Sequence, residues 1–377
     1  MSKNKYTVGG LFSGVGGIEL GFENNGFEIL WANEYDKESC KTYRSNFSHK
    51  LIEEDIHTIK GESLPAVDII TAGFPCQAFS VAGYRDGFKD PRGNLFFEIM
   101  RLVDELQEKP KVLFLENVKN FYTHDGGNTY KVVHRTLESF GYSVFTEILN
   151  TADYTDIPQN RERTFIICFK DEVDWTLNDK SECSWQFDNL FPPPKSDQRL
   201  HIRDILEKKK VDKRFYYGKS AYMYEELKKH MKSRDTVYQW RRKYVRENKS
   251  GMCPTLTANM GTGGHNVPLI IDDWGFRKLT PRECFRFQGY DDLYKLPEDV
   301  ATSHLYKQVG NSVTVPLIER LAKRVKIALD SKYGKKKYQT GKVGIIEKPV
   351  NKTGLELFID CLKRLKKLFL KFFKIKV

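Results

Sequence analysis

The sequence predicts an α/β protein built on a doubly wound, mostly parallel sheet, with a smaller irregular domain appended. Three observations carry that prediction. Short apolar runs of β-formers alternate with stretches of helical periodicity from Tyr6 to Phe169, the pattern of strands joined by helices that cover both faces of a sheet. Polar and acidic residues follow several of those runs, at the carboxyl edge where open α/β sheets hold ligands. At Phe191-Pro192-Pro193-Pro194 a stiff segment ends the alternation, and the composition changes after it. A chain of 377 residues is long enough for two domains that each bury a core.

In order, Tyr6-Thr7-Val8 leads into Gly9-Gly10-Leu11-Phe12-Ser13-Gly14-Val15-Gly16-Gly17 and then a helix through Ile18 and Phe22. Glycines between a strand and a helix let a ligand approach the backbone near the helix N-terminus. The spacing is not the dinucleotide-binding G-x-G-x-x-G. The next strand, Glu28–Ala32, ends in Asn33-Glu34-Tyr35-Asp36. An acid about 20 positions after such a turn is placed for ribose hydroxyls, and Tyr35 beside it for stacking on a purine. A solvated helix start is the competing reading. Asp55 follows Leu51-Ile52-Glu53-Glu54 at another strand end.

Val67–Ala72 reads as a buried strand feeding Gly73-Phe74-Pro75-Cys76-Gln77-Ala78-Phe79-Ser80. Pro75 fixes its own φ and restricts Phe74, so Cys76 is presented from a stiff turn. A cysteine alone is more often a small buried hydrophobe than a nucleophile. The Gly-punctuated stretch from Ser80 to Gly93 reads as a candidate lid. A helix over Phe96–Leu106 precedes the strand Val112–Leu115, which ends in Glu116-Asn117-Val118. A carboxyl at the tip of an apolar strand is a candidate acid, because burial raises its pKa. Helix Tyr130–Phe140, strand Ser143–Asn150, and Pro158-Gln159-Asn160-Arg161-Glu162-Arg163 leading into strand Thr164–Phe169 complete the alternation.

Residues 195–275 interleave base with aromatic, as in Arg214-Phe215-Tyr216-Tyr217 and Trp240-Arg241-Arg242-Lys243-Tyr244-Val245-Arg246, followed by a Gly-rich loop over Thr255–Asn266. Such clusters suit phosphate contact and base stacking; a solvated face over ordinary core aromatics has the same composition. Arg277–Gly289 reads as a Thr-capped helix with Pro281 at its start and a glycine stop. Gln308–Val313 precedes a helix with Ile318, Leu321 and Val325 on one face.

The net charge of +12 is concentrated at one end: Ser331–Val377 holds fourteen Lys+Arg against three Asp+Glu, which leaves the rest of the chain near neutral. Nucleic-acid binding must therefore come from local clusters. Seven cysteines without a C-x-x-C pair point to a reducing compartment, with no disulfide framework and no structural metal. No run reads as a membrane span or signal peptide, so the expected location is the cytoplasm. Ser331–Pro349 reads as a linker and Leu355–Val377 as an amphipathic basic helix, with a membrane surface, DNA or a second subunit as its candidate partners.

Together these segments resemble the cytosine-C5 DNA methyltransferases of prokaryotic restriction-modification systems, over 6–325. Phe12–Gly17 resembles the S-adenosylmethionine (SAM) loop, Pro75-Cys76-Gln77 the nucleophile motif, and Glu116-Asn117-Val118 the motif that grips the target base. Gln159–Arg163 resembles the paired-arginine motif, Arg277–Gly289 the helix that braces the recognition domain, and Gln308–Val313 the last motif, which completes the cofactor pocket. Gly10 departs from the pattern, since many members carry an acid before the Leu-Phe pair.

The resemblance implies a SAM-binding catalytic domain over 1–185 and 305–330, a target-recognition domain over 190–300, and the tail 331–377 outside both. It implies a Cys76 thiolate that adds to carbon 6 of a flipped cytosine, Glu116 at ring nitrogen 3, Arg163 at the base carbonyl and Arg161 in support. Phe12, Gly14, Gly16, Glu34, Tyr35, Asp55, Ile56, Pro75, Leu95, Asn311 and Ser312 match cofactor positions: Glu34 to ribose, Tyr35 against adenine, Asp55 to its amine. Arg241, Arg242, Thr257, Asn259, Gly263, Gly264 and His265 match the DNA-reading region, with CCGG, CCNGG and CCWGG as candidate sites. The implied partners are duplex DNA and a cognate restriction endonuclease. A transfer-RNA cytosine-C5 methyltransferase shares the motif set, and a catalytically silent DNA-binding regulator is the alternative from another class.

Overall fold

The structure is a computed structural model that describes residues 5–75, 95–170, 190–195, 199–241, 243–262 and 267–330. Cys76, the Ser80–Gly93 stretch, Arg242, Gly263, Gly264, His265 and the tail 331–377 lie outside the described residues.

The strands β1 (Thr7–Leu11), β2 (Glu28–Asn33), β3 (Lys50–Ile52), β4 (Ile69–Gly73), β5 (Val112–Val118), β6 (Tyr142–Asn150) and β8 (Glu162–Lys170) form one seven-stranded sheet in the order β3-β2-β1-β4-β5-β8-β6. All pairs are parallel except the two made by β8, which runs against both β5 and β6. The order reverses between β1 and β4, so the carboxyl ends of those strands diverge into a crevice.

Strict period-2 alternation divides the core. Val112 and Phe114 of β5, with Phe165, Ile167 and Phe169 of β8, face helices α1 (Gly17–Glu23) and α7 (Val315–Asp330) through Ile18, Phe22, Ile318 and Leu321. Leu113 and Leu115, with Ile166 and Cys168, face α3 (Leu95–Glu105) and α4 (Asn128–Ser139) through Ile99, Val103, Val133 and Leu137. The doubly wound α/β expectation therefore holds, helices on both faces included. Truncating a ring such as Phe114, which is completely buried, costs about 3–5 kcal/mol.

The region 190–300, which read as irregular, contains a second sheet, four-stranded and antiparallel: β9 (Tyr238–Arg241), β10 (Tyr244–Glu247), β12 (Leu269–Asp272) and β13 (Gly275–Lys278), in the order β10-β9-β12-β13. A two-residue parallel ladder, β7 (Gln159–Asn160) with β11 (Cys253–Pro254), joins this region to the paired-arginine segment. The helix expected over Arg277–Gly289 is shorter. Arg277 and Lys278 belong to β13, and α5 runs over Pro281–Arg286 behind a capping box between Thr280 and Glu283. Arg277 is fully buried between Glu283 (2.7 Å) and Asp272 (2.5 Å), an ion pair that fastens strand to helix. Among the described residues no helix is long and apolar enough to cross a membrane.

Candidate active site

The turn from β1 to α1 takes left-handed backbone at Phe12 (φ 53°), Gly14 (φ 56°) and Gly16 (φ 80°). Glycine accepts that conformation without strain; Phe12 does not, and its outlier marks the site. Ser13 N donates to the Asn33 carbonyl (3.0 Å) and Gly16 N to the Ser13 carbonyl (2.7 Å), so the turn is tied to the end of β2. Glu34 completes the tie. Its Oε2 accepts from Gly14 N (2.8 Å), and its Oε1 from Tyr35 N (2.9 Å) and Asp36 N (2.8 Å). Burial raises the Glu34 pKa, and those three backbone donors oppose the rise.

The turn has open space beside it. Among the described residues, apart from Gly14 and its two chain neighbours, no heavy atom lies within 4 Å of the position a Cβ on Gly14 would take. The Tyr35 side chain is 67% exposed, leaving an aromatic face available. Asp55 caps the turn Ile56–Thr58 by accepting from His57 N, and this bond with that from His57 Nδ1 (2.6 Å) holds its carboxyl below the usual range. Ile56 is buried, Leu95 opens α3 and packs partly buried against the same core, and Pro75 is exposed at the end of the described strand turn. From the opposite side come Asn311, exposed at the end of α6 (Thr302–Asn311), and Ser312, whose hydroxyl lies 2.6 Å from Tyr290 OH.

The second part of the site is the seam between β5 and β8. β5 runs on to Val118, two steps past the expected acid, because β8 pairs with it as far as Val118↔Arg163. Glu116 and Arg163 emerge on the same face of the seam, with Arg163 Nε 3.1 Å from Glu116 Oε1. Glu116 Oε2 lies toward Gly73 of β4, the strand that leads to Phe74 and Pro75. Burial raises the Glu116 pKa and outweighs the neighbouring arginines, which pull it down. Burial also lowers the Arg163 pKa, against the effect of Glu116. The pair is thus a buried acid held beside a cation, the arrangement of a proton donor next to an anion-stabilising group.

Arg161 is directed elsewhere. It is 1% exposed and donates to the carbonyls of Leu256 (2.7 Å), Gly310 (3.2 Å) and Ser312. It therefore joins the β8 segment, the residues after β11 and the end of α6, and it favours the negative end of that helix. Asn117 is a residue the sequence reading did not single out for a role. Its Nδ2 donates to the Phe74 carbonyl (2.9 Å) and its Oδ1 accepts from Val118 N (2.8 Å). Its signal was its place in the Glu116-Asn117-Val118 motif.

Arg241, Thr257 and Asn259, expected to read DNA, line one cavity of ≈ 400 Å³ together with Asn160, Gln239 and Arg246. Gln239 Oε1 accepts from both Arg241 Nη2 (3.2 Å) and Arg246 Nη2 (2.9 Å). Gln239 and Arg246 face each other across the β9–β10 ladder. Arg246 lay in the basic-aromatic cluster of the sequence, but its role as the partner of Gln239 depends on a register that only the hairpin sets.

Comparison with known proteins agrees with this geometry. A family model described as C-5 cytosine-specific DNA methylase matches residues 6–327. The chain is 53% identical over 322 residues to the Type II methyltransferase M.Bsp6I of Bacillus sp. (strain RFL6), covering 84% of this chain and 98% of that protein. It is 37% identical over 341 residues to the Type II methyltransferase M.HhaI of Haemophilus parahaemolyticus, covering 85% and 94%. Among solved structures, the S. pombe Dnmt2 methyltransferase superposes with TM-score 0.65 at 18% identity, over 87% of this chain and 100% of that one, a likeness of fold.

Proposed function

We propose a reaction for this chain, which belongs to the C-5 cytosine-specific DNA methylase family and is a DNA cytosine methyltransferase: it methylates carbon 5 of a cytosine flipped out of a short specific site in duplex DNA. SAM, when bound, supplies the electrophilic methyl group. Carbon 5 of cytosine is a poor nucleophile until the ring is made an enamine. In this reading the Cys76 thiolate adds to carbon 6, and Glu116 gives its proton to ring nitrogen 3 as the ring loses aromaticity. Arg163 holds the base carbonyl and favours the negative charge that develops there. After methylation carbon 5 gives its proton to water, the electron pair left behind re-forms the ring double bond and expels the Cys76 thiolate, and ring nitrogen 3 returns its proton to Glu116. Asn117 and Pro75 position the turn that presents Cys76, and Arg161 holds the recognition segment against the site. A cognate endonuclease acting on the same sequence is the partner that fits relatives named Type II methyltransferases.

The observation that carries the reading is Glu116. It is a buried acid, with its pKa raised, at the end of β5, 3.1 Å from Arg163 and beside the strand that leads to Cys76. The test is a tritiated-methyl assay on duplex DNA, followed by bisulfite sequencing. Wild type should label cytosine at one short site and Cys76→Ser should label none while still binding SAM and DNA. Substantial turnover by Cys76→Ser would remove the covalent mechanism.

A further inference from the structure

We infer that Glu19 is a positioning residue for the cofactor turn: from α1 it places a carboxyl in the space Gly10 leaves at the end of β1, and there it fixes Ser13. The inference rests on the reading of the Phe12–Gly16 turn as the SAM loop. Glu19 is 1% exposed, and its Oε1 accepts from Ser13 Oγ at 2.7 Å. A Cβ on Gly10 would stand 2.1 Å from that same oxygen and 2.7 Å from Ser13 Oγ. Gly10 is not among the residues with positive φ, so what glycine provides there is room, which the Glu19 carboxyl and the Ser13 hydroxyl take up, rather than backbone freedom. Gly10 and Glu19 are therefore a matched pair, with the side chain missing from the strand supplied by the helix.

The same carboxyl bears on the middle of the sheet. Gly10 pairs with Thr71 of β4, whose hydroxyl is the further side-chain partner of the Glu19 carboxyl and opposes the rise of its pKa. Ser13, the neighbour of Gly14, is thus held from below by Glu19, and Gly14 from the side by Glu34. Of the charged groups that bear on Glu19, Glu34 is an acid, and Tyr43 of α2 (Lys37–Arg44) with Tyr290 and Tyr294 after α5 lie near enough for the Glu19 charge to raise their pKa values. Burying an acid costs stability, and the shortest bond that Glu19 makes goes to the cofactor turn.

The test separates stability from affinity. SAM binding is measured by calorimetry on the full chain, with thermal unfolding and methyl transfer in parallel. Glu19→Leu fills the volume without an acceptor, so it should weaken SAM binding about tenfold while leaving Tm unchanged or raised; one lost hydrogen bond to an acid is of that size. Its turnover at saturating SAM should stay within about threefold of wild type, since the chemistry lies at β5. Glu19→Gln keeps the acceptor for Ser13 and should bind SAM nearly as wild type does.

A rescue arm covers failure of Glu19→Leu to fold. Gly10→Asp alone collides with Glu19 and should lose SAM binding. Gly10→Asp combined with Glu19→Ala returns a carboxyl to the same space, with the Ser13 hydroxyl free to rotate aside. The double variant should bind SAM better than Glu19→Ala alone. Unchanged affinity in folded Glu19→Leu, or a double variant no better than Glu19→Ala, overturns the assignment. Wild-type protein that does not bind SAM overturns the cofactor reading itself, and with it this inference.

Discussion

Asn117 on β5 donates to the carbonyl of Phe74 at 2.9 Å, and this bond fastens the strand bearing the buried acid to the turn that precedes Cys76. In the proposed reaction Glu116 and Cys76 meet one pyrimidine ring, and this bond ties the strand of the first to the turn that leads to the second. Both Asn117 and Phe74 are buried, so removing the donor leaves an unpaired carbonyl. Asn117→Ala should slow single-turnover methyl transfer about tenfold to a hundredfold, the equivalent of about 1–3 kcal/mol. SAM affinity, which the proposal sets mainly through the Phe12–Gly16 turn and Glu34, should change far less than the rate; an equal loss of both would place Asn117 in general stability instead.

Glu116 gives a pH prediction. Burial raises its pKa, so the protonated form persists above the usual carboxylate range. A group that acts as an acid must carry its proton, so the single-turnover rate should fall as pH rises through that raised pKa. Glu116→Gln should abolish this limb and slow the chemical step about 10²–10⁴-fold. A wild-type profile with no descending limb that Glu116→Gln removes would take the acid role away from this residue.

Recognition should depend on Gln239 and the two arginines it holds. Guanidinium groups aimed by a shared acceptor suit the two-acceptor edge of guanine in the major groove. Arg246→Ala should therefore relax choice at one base pair, by about 1–3 kcal/mol, when methylation of a randomised duplex library is sequenced. Equal weakening on every sequence, with a shallower salt dependence, would make Arg246 a phosphate contact.

Glu19 predicts a stability slope. Burial lifts its pKa from 4.5 to about 7 in the fold. Between those values the folded chain holds a proton that the unfolded chain has released. The contribution is fully present below 4.5 and is lost as pH rises through about 7. By linkage the loss is about 3 kcal/mol. Glu19→Gln should flatten this part of the denaturation profile and be more stable than wild type at pH 8; an identical slope in both proteins would contradict the burial.

The large sheet was legible because both its faces are covered, so each strand is an apolar run and each covering helix has a clear period. The carboxyl-edge residues Glu34, Asp55 and Glu116 were legible for the same reason: a charge that ends an apolar run stands out. The small sheet was not, because its strands are four residues long and mix Arg, Gln and Tyr with Val and Ile. Arg161 could be marked by its motif, but its carbonyl partners lie 95, 149 and 151 residues away, and nothing local announces them. The fit of Glu19 into the space of Gly10 depends on how α1 lies on β1, which no spacing rule supplies.

The segment after β11 is attached to the body through its main chain. Arg161 grips the carbonyl of Leu256, Gln159 Oε1 accepts from Leu256 N at 3.1 Å, and Cys253-Pro254 pair as backbone with Gln159-Asn160. Gly310 brings α6 against the backbone of Thr257 and Ala258, where a Cβ would stand 2.2 Å from the Thr257 carbonyl carbon. Fasteners of this kind are indifferent to the side chains that follow. In the proposed reading such a segment is a cartridge in a socket: an engineer can exchange its side chains while the body that receives it keeps its main-chain contacts.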